Sequence, residues 1–144
     1  MAAADYISQQ NREKNKEPLK MKAVLESMIK AHEIQGVLAI KNSFNRVGLD
    51  HVLLVKLAST SVIAKLFGLT KEQSLDAISQ VFVDGQSLRT YRHAPNAGPR
   101  KSWAAGDATS RAMQLVLFTM RGQIGYPSAI TAKTVSYTHL TLPT

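Results

Sequence analysis

Basic side chains are concentrated in residues 88–103, a stretch that also contains two prolines and a glycine. They are Arg89, Arg92, His93, Arg100 and Lys101. No acidic residue lies between Asp84 and Asp107. The stretch leads into a predicted helix, whose unpaired backbone N–H groups favour anions, and guanidinium groups match carboxylates in shape. We therefore predict a site for a carboxylate or a phosphate, with a solvated basic loop as the alternative that the residues leave open.

Of the four histidines, His51 is the best placed for acid–base chemistry. It follows a loop and begins the most apolar predicted helix. A helix N-terminus disfavours a positive charge, so an imidazole there suits a neutral base or a hydrogen-bond donor. An early-helix histidine whose nitrogen is simply satisfied is the alternative. We interpret His32 as structural, and the spacing of the histidines matches no compact metal motif.

The elements that would position these residues are helices, because apolar residues recur at spacings of three and four. Asp50 can cap the helix that begins at Val52, and this helix should be central because it is apolar on much of its circumference. Thr70 and Gln73 form a capping-box pattern. We predict an all-α array of four or five helices. The predicted elements are the end of a helix over 2–10 and helices over 19–40, 51–67 and 71–88. A further helix should begin between Ser102 and Asp107, with Asp107 as a cap or first-turn residue, and end at Gly122.

Composition narrows the possible functions. The chain has 144 residues, enough for one domain, and no cysteine, which excludes disulfides and thiolate chemistry. No apolar run is long enough to span a membrane, because Lys56 and Lys65 interrupt the longest one. The formal net charge of +8 allows a nucleic-acid-binding helical module or a non-catalytic scaffold as alternatives to an anion-binding enzyme. Nucleotide-binding and classical hydrolase motifs are absent from the sequence.

Long colinear strings resemble one family. They are AHEIQG at 31–36, NSFNRVGLDH at 42–51, DGQSLRTYRHAPN at 84–96, RKSWAAGDATSR at 100–111 and GYPSAITAKT at 125–134. Together they resemble the dehydratase branch of the MmgE/PrpD family. We interpret residues 1–134 as part of the large helical domain of that fold, and residues 135–144 as a foreign tail that comes from an artefact or added sequence.

The resemblance implies a hydro-lyase that removes water from the tricarboxylate 2-methylcitrate to give 2-methylaconitate in propionate breakdown, without a metal or other cofactor. It implies that His51 and Lys101 are active-site residues. Arg89, Arg92 and His93 would bind substrate carboxylates or shape the loop.

The resemblance also implies that the chain is an interior part of a longer protein. Further family active-site residues would then lie before residue 1 and after residue 134, so we expect this chain to be inactive alone. The complete protein is expected to be a homodimer that binds neither nucleic acid nor membrane, in the cytoplasm or, in a eukaryote, the mitochondrion. Because partner helices would be missing, we expect the helix from Val52 to keep partly exposed faces and the chain to be poorly soluble or to self-associate.

Overall fold

A computed structural model describes residues 1–85 and 88–132, and the predicted foreign tail at 135–144 lies outside this part of the chain. The described residues form five helices and two short 3-10 turns, at Phe44–Val47 and Arg89–Arg92. The helices are α1 (Ala2–Glu13), α2 (Met21–Lys41), α3 (Val52–Leu66), α4 (Lys71–Val83) and α5 (Arg100–Met120). The only strand-like pairing in the described ranges is an isolated antiparallel bridge between Leu49 and Leu88. The predicted all-α class is confirmed.

Helix α3 is the centre of the array, as its apolar circumference predicted. It packs against α1, α2, α4 and α5, and its largest contact is with α5. Alanines at the crossing points, among them Ala64, Ala77 and Ala112, are fully buried and allow the helix axes to approach closely. The core therefore lies along α3, between α4 and α5.

Helix α3 keeps a partly exposed apolar face, as expected, because Val55, Leu57 and Val62 are half-buried. Only Lys65 of α3 is exposed beyond this level. Exposed apolar side chains instead follow one another along α2, at Met21, Leu25, Met28, Ile29, Val37 and Ile40. Because α2 contacts the array mainly through α3, its remaining face meets solvent. Self-association remains a prediction, and the exposed apolar face of α2 is the surface through which we expect it.

Several helix boundaries differ from the sequence prediction, and α1 continues to Glu13 instead of ending at residue 10. Helix α4 opens with the predicted capping box, in which Thr70 Oγ1 accepts from the Gln73 N–H and Gln73 Oε1 accepts from the Thr70 N–H. It ends at Val83 instead of continuing to residue 88. The chain turns at Gly85, whose φ of +50° lies in the left-handed region that glycine adopts without a steric penalty.

Helix α5 begins at Arg100, before the predicted start. Pro99 precedes it, and a proline is well suited to a helix start because it has no N–H to leave unpaired. Asp107 consequently lies well inside the helix. Its interpretation as a cap or first-turn residue is wrong, because the helix starts seven residues earlier than that role requires.

Candidate functional site

The N-terminal ends of α3 and α5 lie together. Val52, the first residue of α3, packs in a buried cluster with Ala104 and Ala108 of α5, and Tyr91 from the Arg89–Arg92 turn packs against it. This cluster brings three segments to one end of the helix pair: the residues that precede α3, the start of α5 and the basic turn. His51 and Lys101 belong to the first two of these segments.

Asp50 is the centre of the first charged cluster, and its side chain is completely buried. One carboxylate oxygen accepts the N–H of Val52 at 3.2 Å, as the predicted helix cap requires, and lies 3.0 Å from His51 Nδ1. The other oxygen accepts a hydrogen bond from Arg92 Nε. Arg92 also stacks over the Tyr91 ring, with its guanidinium carbon 5.0 Å from the centroid. We call Asp50, His51, Tyr91 and Arg92 the Asp50 cluster.

The electrostatics of the Asp50 cluster favour the ionised form of Asp50. Burial raises the pKa of Asp50, but the Arg92 guanidinium, the Tyr91 hydroxyl and the Val52 N–H together outweigh burial and hold the pKa below its ordinary value of 3.8. Conversely, the Asp50 hydrogen bond raises the pKa of Arg92. Burial raises the pKa of the Tyr91 hydroxyl, and the neighbouring Asp50 carboxylate adds to that effect. At neutral pH the cluster therefore holds an ionised aspartate against a charged arginine.

A second charged cluster surrounds Lys56, which lies in α3 and is only 3% exposed. Its ammonium donates to the backbone carbonyl of Asp84, to the carbonyl of Gly85 at 3.1 Å and to the Asp84 carboxylate at 3.4 Å. Asp84 also pairs with Arg111 at 3.4 Å. Asp107 joins Arg111 at 3.3 Å and Arg100 at 3.5 Å. We call the five charged residues, which are Lys56, Asp84, Arg100, Asp107 and Arg111, the Lys56 network.

Burial lowers the pKa of Lys56 below its ordinary value of 10.5, and the charge of Asp84 partly opposes this effect. The network borders a cavity of about 320 Å³. Its lining residues are Val52, Leu53, Lys56, Gly85, Leu88, Arg100, Asp107, Ala108 and Arg111. Of the basic residues predicted from the sequence to form an anion site, only Arg100 lines this cavity. The five residues that the family resemblance implies, which are His51, Lys101, Arg89, Arg92 and His93, do not line it.

The predicted site residues have different surroundings. His51 and Arg92 meet at Asp50. Arg89 donates to Asn45 Oδ1 at 3.0 Å. His93 and Lys101 are exposed, and within residues 1–85 and 88–132 no hydrogen bond or ion pair joins the side chain of either to His51. The loop lacks acidic residues of its own, but Asp50 and Asp107 neutralise two of its arginines from elsewhere in the chain.

Sequence reasoning missed Asp50 as a partner of His51 and Lys56 as a buried cation. Asp50 was interpreted only as a helix cap, and Lys56 only as an interruption of an apolar run. A signal for Lys56 was present, because a lysine in a helix that is apolar all round must find acceptors inside the protein. In the described ranges no group of three or more His, Asp or Glu side chains is arranged to hold a metal ion. No described helix has the length and apolar character that crossing a membrane requires.

A helical domain that gathers histidine, lysine and arginine side chains around the paired ends of two helices has the chemistry to bind a small anion. The chain belongs to the MmgE/PrpD family, since the profile of the MmgE/PrpD N-terminal domain matches residues 1–143.

Relatives in bacteria and yeast are very similar to this chain. It is 64% identical over 134 residues to the 2-methylcitrate dehydratase of Salmonella typhimurium, covering 93% of this chain and 28% of that protein. It is 65% identical over 132 residues to the enzyme of the same name from Escherichia coli K12, covering 92% of this chain and 27% of that protein. The mitochondrial 2-methylcitrate dehydratase of Yarrowia lipolytica is 71% identical over 115 residues, covering 80% of this chain and 22% of that protein. The chain thus spans little more than a quarter of the length of the bacterial relatives.

Proposed function

We propose that this chain supplies part of the active site of a 2-methylcitrate dehydratase, which removes water from 2-methylcitrate to give 2-methylaconitate. The observation that carries the proposal is the identity of 64% over 93% of the chain with a protein of that name. The described residues are compatible with it, because His51 and Lys101 lie at the ends of two helices that pack on each other.

The reaction requires a base and cationic groups, which have separate tasks. A base must take a proton from the carbon next to a carboxylate, and positive charges must stabilise the electron density that builds up on that carboxylate. We assign His51 to the first task and Lys101 to the second. An acid must also protonate the leaving hydroxyl, and we assign no residue of this chain to that step.

Arg89, Arg92 and His93 are proposed to hold the remaining substrate carboxylates. Arg92 is constrained in this role, because its Nε already donates to Asp50 and only its terminal amino groups can reach a substrate. His93 is exposed and free to turn toward a ligand. A homodimer of the complete protein, in the cytoplasm or the mitochondrion, remains part of the proposal. The mitochondrial yeast relative supports the second location for a eukaryotic source.

A chimeric enzyme tests the proposal. The matched 132 residues of the Escherichia coli relative are replaced by those of this chain, and formation of the carbon–carbon double bond is followed by ultraviolet absorbance. We expect turnover by the chimera and none by the isolated 144-residue chain. His51→Gln should lower kcat by roughly 10²- to 10⁴-fold, the usual contribution of a general base.

Lys101→Met should lower kcat by about 10²-fold, as the loss of one charge-stabilising group does. Lys71→Met is the matched control, because Lys71 is an exposed lysine at the start of another helix. Equal rates for the His51 variant and the parent chimera would refute the assignment of the base. Affinity for DNA that falls steeply with salt and is not competed by citrate would favour the nucleic-acid hypothesis instead.

A further inference from the structure

The carboxylate of Asp50 can only accept hydrogen bonds. It is completely buried, it receives the Val52 N–H on one oxygen and Arg92 Nε on the other, and these donors favour its ionised form. An ionised carboxylate has lone pairs and no hydrogen. A nitrogen that lies close to it is therefore favoured when it carries a hydrogen and disfavoured when it presents a lone pair.

His51 Nδ1 is such a nitrogen, 3.0 Å from Asp50 Oδ1. When the imidazole is neutral it has one N–H, and the negative charge of Asp50 favours the tautomer with this hydrogen on Nδ1, because an Nδ1 lone pair facing the carboxylate would be repelled. The Nε2 lone pair is then free to accept a proton. An unconstrained neutral imidazole in water prefers the opposite tautomer, with the hydrogen on Nε2, so the contact with Asp50 changes which nitrogen is the base.

We propose that Asp50 is a positioning residue for His51, whose buried carboxylate holds the hydrogen on Nδ1 and presents Nε2 as the proton acceptor. The proposal deepens the proposed function, on which the role of His51 as a base rests. When Nε2 takes a proton from substrate, the imidazolium keeps its Nδ1–H beside Asp50, and the negative carboxylate stabilises the new positive charge. Arg92 holds the other carboxylate oxygen and so couples the basic turn to the orientation of the base.

Nitrogen-15 NMR of the labelled chain tests this inference without substrate. Ring nitrogens that carry hydrogen and those that carry a lone pair have well-separated shifts, and spectra are recorded at a pH where the histidines are neutral. His51→Gln identifies the resonances of His51. We expect a protonated Nδ1 and an unprotonated Nε2 in His51.

Two other histidines serve as internal controls. His32 Nδ1 lies 3.0 Å from the Met28 carbonyl oxygen, which also can only accept, so His32 should show the same tautomer. His93 is exposed and should show a majority with the hydrogen on Nε2. A wild-type His51 with its hydrogen on Nε2 would overturn the proposal and leave Asp50 as a cap and a partner of Arg92.

Asp50→Ala should return His51 to an Nε2–H majority, and Asp50→Asn, which keeps a weaker acceptor, should give a mixture. An unchanged tautomer in an Asp50→Ala chain that retains its helical circular dichroism would overturn the proposal. If that variant does not fold, the wild-type spectrum decides. Because no substrate is present, this result is separate from the chimera assay: a confirmed tautomer with an active His51→Gln chimera would refute the proposed base and leave the positioning by Asp50 standing.

Discussion

The Asp50 cluster and the Lys56 network are built from the same kinds of residues but bury opposite charges. In the Asp50 cluster the anion is enclosed and the nitrogen-bearing side chains reach outward, with 45% of the His51 side chain exposed. In the Lys56 network the cation is enclosed, and its carboxylates and guanidinium groups are partly exposed. The sign of the buried charge therefore decides which of its charged partners remain accessible to a ligand.

The number of hydrogen-bonding positions already occupied explains why only one of the two clusters is suited to proton transfer. An ammonium has three hydrogens, and Lys56 has three acceptors around it, at Asp84 and Gly85. Lys56 therefore has no hydrogen available to donate to a substrate. His51 uses one ring nitrogen on Asp50 and keeps the other. We therefore interpret the Lys56 network as structural and the Asp50 cluster as functional, and the following predictions test that contrast.

Lys56→Ala should have the largest effect on stability. It removes the buried ammonium that donates to two carbonyls and to the Asp84 carboxylate, and breaking a buried charged pair costs about 3–5 kcal/mol. Urea unfolding followed by circular dichroism measures the change. Lys65→Ala, at an exposed position of the same helix, is the control and should change the free energy of unfolding by less than about 0.5 kcal/mol. Equal losses for the two variants would contradict the structural role of Lys56.

Asp50→Asn should lower the free energy of unfolding by about 2–3 kcal/mol at neutral pH, because the charged Arg92 loses the negative charge of its hydrogen-bond acceptor. The pKa of Asp50 is lower in the folded chain than its ordinary value of 3.8. The ionised form therefore contributes its stability fully above pH 3.8, and this contribution is lost as the pH falls through the lower folded pKa.

The difference in unfolding free energy between wild type and Asp50→Asn should accordingly be constant above pH 3.8 and shrink below it. Urea unfolding at pH values on both sides of this point measures the difference. A gap that stays the same at acidic pH would show that Asp50 does not owe its stabilising effect to ionisation.

Arg111→Gln should have a smaller effect, about 0.5–1 kcal/mol, because its partners Asp84 and Asp107 are partly exposed and water competes for them. The effect should diminish in high salt, which screens exposed charges. Unfolding titrations at low and high ionic strength measure both quantities. A loss as large as that of Lys56→Ala would mean that the outer part of the Lys56 network is as important as its centre.

Tyr91→Phe should have the smallest effect, within about 0.5 kcal/mol. The buried Tyr91 hydroxyl helps to lower the pKa of Asp50 but makes no well-aligned hydrogen bond in the described part of the chain. The ring keeps its packing against Val52 and Ala108 and its contact with Arg92. Thermal unfolding against wild type measures the change. A large destabilisation would show that the hydroxyl is an essential donor of the Asp50 cluster.

Local features of the fold were predictable from the sequence. The apolar spacing predicted each helix, and the Thr70 and Gln73 pattern predicted a capping box that both hydrogen bonds confirm. The end of α4 was not predictable in this way, since residues up to 88 continue a helical pattern. Lys56 binds the carbonyls of Asp84 and Gly85 from another helix, and this contact accompanies the early end of α4.

The sequence by itself determined the helical class, the central position of α3 and the basic character of the turn before α5. These properties depend on residues a few positions apart, whose spacing can be read along the chain. Only the tertiary structure decided that Asp50 meets Arg92, 42 residues away, and that Lys56 meets Asp84, 28 residues away. Which charges become partners depends on which helix ends pack together, and that packing is a property of the whole array, not of any one segment.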